Sequence, residues 1–277
     1  MKGFITRGLL CILIVTVSGC TKSVEIIAHR GASYIAPENT MASVKLGWEK
    51  DADVEVDVYL TKDNKIVAIH DETTERTAGT DVNVAETTSE ELRKLDVGSF
   101  KSEQYAGEKI PFLTEIVETI PPGRKLYVEI KCGQEILPYL RDLLADSGKM
   151  SRIIIIAFDL ETVAMSKEMI DVPTYWLKGT KKTKETEQWI PHDPQLVQKI
   201  KDRGLDGLDV HYAGITKEFA DAVKASGQKL YAWTVDEPEE AIRLIKLGVD
   251  GITTNRPQWL REQVKGDMPA RRTIAGK

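Results

Sequence analysis

Val54-Glu55-Val56-Asp57-Val58-Tyr59-Leu60, VEVDVYL, sets a valine at every second position and a carboxylate between each pair. Successive side chains of a strand point to opposite faces, so the three valines share one face and the two acids the other. Leu126-Tyr127-Val128-Glu129-Ile130-Lys131 repeats the device, with Leu126, Val128 and Ile130 opposite Tyr127, Glu129 and Lys131. Strands of this kind belong where one face meets apolar neighbours and the other lines an interior that accepts charge.

Working outward, short apolar and β-branched runs recur at 24–28, 54–60, 126–130, 153–158, 173–177, 207–210, 230–235 and 251–254. Helical patterns fill most intervals, at 135–145, 161–170, 194–203, 217–226 and 238–247. Eight strands alternating with helices predict an α/β fold, a closed (β/α)8 TIM-type barrel. An open doubly wound sheet is the alternative, but no Gly-x-Gly-x-x-Gly follows the first strand. In the barrel the apolar faces meet the helices, so Glu55, Asp57, Glu129 and Lys131 point inward. The polar stretch 71–110 is treated as an insertion after the second strand, with a helix around 89–95. Thr87 with Glu90, and Thr88 with Glu91, each match a capping box there.

Burying unpaired carboxylates costs several kcal/mol each, so the cluster needs cations. A divalent, oxygen-preferring ion, Mg2+ or Ca2+, is one answer. A structural network through Lys131 and other basic groups is the other. The segment 61–70 reads as a hairpin turning at Asp63-Asn64; with a two-residue loop, His70 faces Asp57 and hangs over the acids. The first strand ends in His29-Arg30-Gly31, on the rim where barrel active sites form. Two imidazoles suit acid and base work near neutral pH. Arg30 offers a planar fork for phosphate or carboxylate, and Gly31 lets the chain turn. Each histidine taken alone is as readily structural; it is the convergence on one rim that points to a site. Lys178, Lys181, Lys182 and Lys184 follow the fifth strand, either as a steering patch for an anionic substrate or as a solvated loop.

The chain opens MKGFITRGLLCILIVTVSGC, with Lys2 and Arg7 before an apolar run too short to span a bilayer. Val17-Ser18-Gly19-Cys20 resembles a bacterial lipobox. The expectation is a signal peptide over 1–19, a barrel domain over 20–277 and lipidation at Cys20, giving an exported protein anchored to a bacterial membrane. An ordinary cleaved signal is the alternative. Loss of Cys11 and acylation of Cys20 would leave Cys132 with no disulfide partner. Losing Lys2 and Arg7 deepens the formal charge of -5 by two, and no basic field for nucleic acid is present.

Taken together, His29-Arg30-Gly31, Pro37-Glu38-Asn39-Thr40, Glu55-Val56-Asp57-Val58, His70-Asp71 with Arg76-Thr77, Gly107 through Pro111, Val128 through Lys131, Ala232 through Val235 and Gly248 through Asn255 resemble the glycerophosphodiester phosphodiesterase family. The resemblance implies hydrolysis of a small-molecule glycerophosphodiester to sn-glycerol 3-phosphate and an alcohol, with a divalent cation. It implies Glu55, Asp57 and Glu129 as metal ligands, His29 and His70 as general acid and base, and Arg30 and Lys131 on the phosphate. Trp233 would line the substrate groove, and Glu38 with Asn39 would organise the site. Asp236 and Asn255 depart from it, since the family often has Asn and Asp there; both lie near strand ends, outside the metal and histidine sets, and bear on the alcohol preference and not on the reaction. Two rival functions stay open: a lysophospholipase D or phosphoinositide phospholipase C-like enzyme acting on lipid headgroups, and a non-catalytic surface-binding lipoprotein.

Overall fold

The computed structural model describes residues 24–268. Its first half runs β1 (Glu25–Ala28), α1 (Met41–Glu49), β2 (Asp53–Leu60), β3 (Ile66–Ala68), α2 (Glu75–Ala78), α3 (Ser89–Leu92), α4 (Leu113–Glu118), β4 (Leu126–Ile130), α5 (Leu137–Ser147) and β5 (Ile153–Ala157). There follow α6 (Leu160–Met169), β6 (Thr174–Lys178), α7 (Gln195–Asp202), β7 (Gly207–His211), α8 (Lys217–Ala225), β8 (Lys229–Trp233), α9 (Pro238–Leu247), β9 (Gly251–Thr254) and α10 (Pro257–Gln263). β1, β2, β4, β5, β6, β7, β8 and β9 pair in parallel in that circular order, and the β1–β2 pairing closes the barrel. No helix among the described residues is long and apolar enough to cross a membrane. The expected signal peptide over 1–19 and the expected lipidation site, Cys20, lie outside the described residues.

The alternation in β2 and β4 resolves as expected. Val54, Val56, Val58, Leu126 and Val128 are fully buried in the shell between barrel and helices. Burying each such side chain contributes about 1.5–3 kcal/mol. The helices present matching faces: in α8, Thr216 caps the first turn by accepting from the Phe219 N–H, and Phe219, Ala220 and Val223 turn inward. Inside the barrel, Ile27, Tyr127, Ile154, Ile156, Tyr175, Leu177 and Tyr231 form a second core. Its lower end is a tyrosine floor. Tyr175 stacks on Tyr231 at 4.9 Å, and the hydroxyls of Tyr127 and Tyr231 donate to Glu25 Oε2 at 2.7 and 3.2 Å.

β1 reaches only Asp53 and Val54 of β2, and β3 takes over the same edge beyond it. The hairpin register differs from expectation by one residue: Val58 faces Ala68 and Leu60 faces Ile66. Its loop has three residues, because Asn64 sits in the left-handed region at φ 59° after a turn closed by Asn64 N–H to Thr61 O. Asp57 therefore does not face His70; its carbonyl accepts from the Ile69 N–H instead. β3 ends at Ala68, however, and the chain bends at His70, so strict alternation no longer governs that side chain.

Between the hairpin and β4, Val67, Ile69, Val84, Leu92, Val97 and Ile110 gather into a small core of their own. Of the two capping boxes, Thr88 with Glu91 is the one that starts α3, and the helix stops at Leu92, short of the expected Leu95.

Candidate active site

The turn after β1 explains the run His29-Arg30-Gly31. Arg30 and Gly31 are both left-handed, at φ 52° and 77°. A Cβ on Gly31 would lie 2.4 Å from the Ser43 carbonyl carbon, so only glycine lets α1 pack this close. The turn aims the Arg30 N–H at Glu55 Oε2, 2.8 Å away, while the Arg30 carbonyl accepts from Asn39 N and Ser43 Oγ. Asn39 in turn donates through Nδ2 to Asp57 Oδ2 at 2.9 Å and accepts from the Asp57 N–H at 3.1 Å. The Pro-Glu-Asn-Thr segment thus braces one acid of the cluster from both sides.

Glu55, Asp57 and Glu129 bring carboxylate oxygens within 4.8 Å of one another. Asp57 and Glu129 are directly opposed across β2 and β4. Lys131 Nζ lies 2.7 Å from Glu129 Oε1 and 3.6 Å from Asp57 Oδ1, and Arg30 Nε lies 3.1 Å from Asp57 Oδ2. The basic network expected as an alternative is therefore real, but incomplete. Glu55 Oε1 and Asp57 Oδ1 are buried without a hydrogen-bond partner. Burial, then repulsion from Asp57 and Glu129, pushes the Glu55 carboxyl well up; burial and Asp57 raise Glu129 to about 7. Three oxygen donors with two atoms unpartnered fit a hard divalent cation.

His29, Arg30, His70, Glu129, Lys131 and Trp233 line one cavity of about 150 Å³ that opens at the C-terminal ends of the strands. His70 Nδ1 is bound to Asp71 Oδ1 at 2.6 Å. Asp71 accepts from Arg76 Nε at 2.6 Å, and both terminal nitrogens of Arg76 donate to Glu38 at 2.8 Å. Glu38 also accepts from Arg30 Nη1 at 2.8 Å. Arg76 was visible only as part of a motif, without a role; it ties the His70 side of the site to the Arg30 side.

Burial opposes ionisation of Glu38, but Arg76 and Arg30 overcome it and hold the carboxyl at about 2. A depressed folded-state pKa gives stability that is present above the ordinary carboxylate range and lost as pH falls toward 2, here on the order of 3 kcal/mol. Glu38→Gln should therefore be clearly less stable than the parent at pH 7, with the gap closing as pH falls from 4.5 toward 2 in urea titrations. A gap that stays constant with pH would deny Glu38 this role.

Residues 29–259 match the model of the glycerophosphoryl diester phosphodiesterase family. The chain belongs to that family. It is 37% identical over 246 residues to a glycerophosphodiester phosphodiesterase of Caldanaerobacter subterraneus subsp. tengcongensis, covering 87% of this chain and 97% of the relative. It is 27% identical to a human lysophospholipase D, covering 85% and 84% respectively. Among solved structures it resembles an Oleispira antarctica phosphodiesterase in complex with the product sn-glycerol-3-phosphate, with TM-score 0.76, 26% identity, and coverage of 88% of this chain and 97% of that one.

Within the family pattern, the two departures meet at His29. His29 Nδ1 lies 2.7 Å from Asn255 Oδ1. Asp236 accepts from the Asn255 N–H at 2.9 Å and from Asn255 Nδ2 at 2.6 Å, so the amide oxygen must face the imidazole. Asp236 and Asn255 are thus not outside the histidine set, as the sequence reading had placed them. The pair orients the ring, with Nδ1 carrying the proton toward Asn255. Burial, with Arg30 alongside, lowers His29 to about 4. Trp233 packs edge-on against Phe158 at 5.5 Å and His211 at 5.3 Å, and Trp189 lies tilted over His211 at 4.8 Å. Of the four lysines, Lys178 ends β6 and lies over Trp176, and Lys182 lies over Trp189 within 3.9 Å of Glu187.

Proposed function

We propose that this cavity hydrolyses glycerophosphodiesters to sn-glycerol 3-phosphate and an alcohol, by acid-base catalysis with two histidines and a divalent cation. The observation that carries the reading is the convergence of His29, His70, Arg30, Lys131, Glu55 and Glu129 on one cavity, beside two buried carboxylate oxygens without a hydrogen-bond partner. Glu55, Asp57 and Glu129 would hold the cation, which when bound supplies positive charge to polarise phosphoryl oxygens. Arg30 and Lys131 add fixed cations that donate to the diester's non-bridging oxygens. Both imidazoles have Nδ1 engaged, by Asn255 and Asp71, which leaves each Nε2 for proton transfer. Between them the two rings take the proton from the attacking hydroxyl or water and give one to the leaving alcohol.

The test is turnover of glycerophosphocholine, glycerophosphoethanolamine and glycerophosphoinositol by the chain lacking residues 1–20, with EDTA and then Mg2+ or Ca2+ added back. Release of glycerol 3-phosphate restored by the ion is the expected result. No turnover with any diester, with ion present, would overturn the reading. A second reading, lysophospholipid as substrate, is favoured by the human relative and by Tyr34, Ile35, Phe158 and Trp189, exposed on loops that follow β1, β5 and β6. Micellar lysophosphatidylcholine assayed beside glycerophosphocholine separates the two.

The lipid anchor belongs to the same proposal: Cys20 would hold the enzyme at a bacterial membrane surface, on the exported side. The full chain expressed in a bacterium should partition with detergent and shift to the aqueous phase as Cys20→Ala. Equal partitioning of both would remove the anchor.

A further inference from the structure

One buried acid takes no part in anything described so far. Asp209 lies on β7, whose Leu208 and Val210 face the helices, so its side chain points into the barrel. Three strands separate β7 from β2 in either direction around the ring, which places Asp209 across the barrel from Glu55 and Asp57. It lines the same cavity as Glu55 and Glu129 and is 2% exposed. Its Oδ1 has no hydrogen-bond partner, and among the described residues no cation pairs with it. It is also absent from the three acids that can share one ion. A buried carboxyl left unpaired costs stability, so its place needs a partner that the polypeptide does not provide.

Resting on the diester reading above, we infer that Asp209 is the hydrogen-bonding reader of the substrate's glycerol hydroxyls. With the phosphate held on the β1–β2–β4 side by Arg30 and Lys131, one ester arm must cross the cavity floor toward β7. That floor is enclosed by Ile156, Leu177 and Thr253, and the opposite end opens beside the exposed Phe158. The arm that is the same in every glycerophosphodiester suits the enclosed end; the variable alcohol suits the open one. Burial pushes the Asp209 carboxyl well up, which favours an uncharged group able both to accept from and donate to a hydroxyl, and disfavours an ammonium partner. A site built to hydrogen-bond a hydroxyl rejects ligands that lack it, because the buried polar group is then left bare.

The experiment compares the parent chain with Asp209→Asn and Asp209→Leu, in Mg2+, by calorimetric titration with sn-glycerol 3-phosphate, inorganic phosphate and phosphocholine, alongside thermal melting. Asp209→Leu should bind sn-glycerol 3-phosphate at least tenfold more weakly, keep inorganic phosphate and phosphocholine within twofold, and melt at or above the parent temperature. Asp209→Asn should fall between. Unchanged affinity for sn-glycerol 3-phosphate would overturn the assignment. So would a loss specific to phosphocholine, which would make Asp209 a headgroup reader, or an equal loss for all three with a lower melting temperature, which would make it structural. A parent chain that hydrolyses no glycerophosphodiester would instead remove the reading on which the inference rests.

Discussion

Alanine in place of His29 or of His70 is expected to lower kcat by at least about a hundredfold while leaving the protein folded. General acid-base participation is typically worth 10²–10⁴-fold, and both rings line the cavity with Nδ1 engaged by the protein and Nε2 left for proton transfer. The folding argument is equally specific. His29 and His70 each make their side-chain hydrogen bond through Nδ1, to Asn255 and Asp71, and neither partner depends on the ring alone. Asn255 keeps Asp236, and Asp71 keeps Arg76. Steady-state kinetics with glycerophosphocholine checks the first part and thermal melting the second. Near-parental kcat in either variant would take that histidine out of the mechanism.

The second large effect concerns the ion and pH. With Glu129 held at about 7 and Glu55 well above the usual range, the ion-free cluster carries protons near neutrality. An ion must displace them, so binding releases protons and affinity climbs with pH. Below pH 7 the apparent Kd for Mg2+ or Ca2+ should weaken on the order of tenfold per pH unit for each proton displaced. Stability of the ion-free chain runs the opposite way. A raised folded-state pKa favours the fold at low pH and loses that support as pH rises through about 7, so saturating ion should raise Tm more at pH 8 than at pH 6. Calorimetry in buffers of different ionisation heat measures the protons released. Affinity that is flat from pH 6 to 8, with no proton release, would show that these carboxyls do not hold the ion.

How far the site could be read from the chain depended on the range of the rule involved. Period-two alternation is local and strict, so VEVDV and LYVEIK were enough to put three acids and a lysine in the interior. The same parity applied to Gly207-Leu208-Asp209-Val210 would have found Asp209; the pattern was there, hidden because a lone acid in a strand attracts less notice than a pair. The hairpin register failed because Asn64 suits both a two-residue turn and the left-handed position ending a three-residue one. His70 still reached the cavity, through a bend and not through pairing. The Asn255–His29 contact joins residues 226 apart, and no local rule could supply it. Arg76 sits between these cases: its motif was legible, but its bridge from Asp71 to Glu38 required the fold.

The tyrosine floor makes the barrel a vessel with a single opening. Tyr127, Tyr175 and Tyr231, tied to Glu25, seal the end away from the histidines, so reactants cannot pass through in one direction. Entry and exit share one doorway, and traffic must take turns. The fragment seated deepest departs last and blocks the next arrival while it stays. Glycerol phosphate should therefore act as a competitive inhibitor, and product that accumulates around the enzyme would throttle its own release.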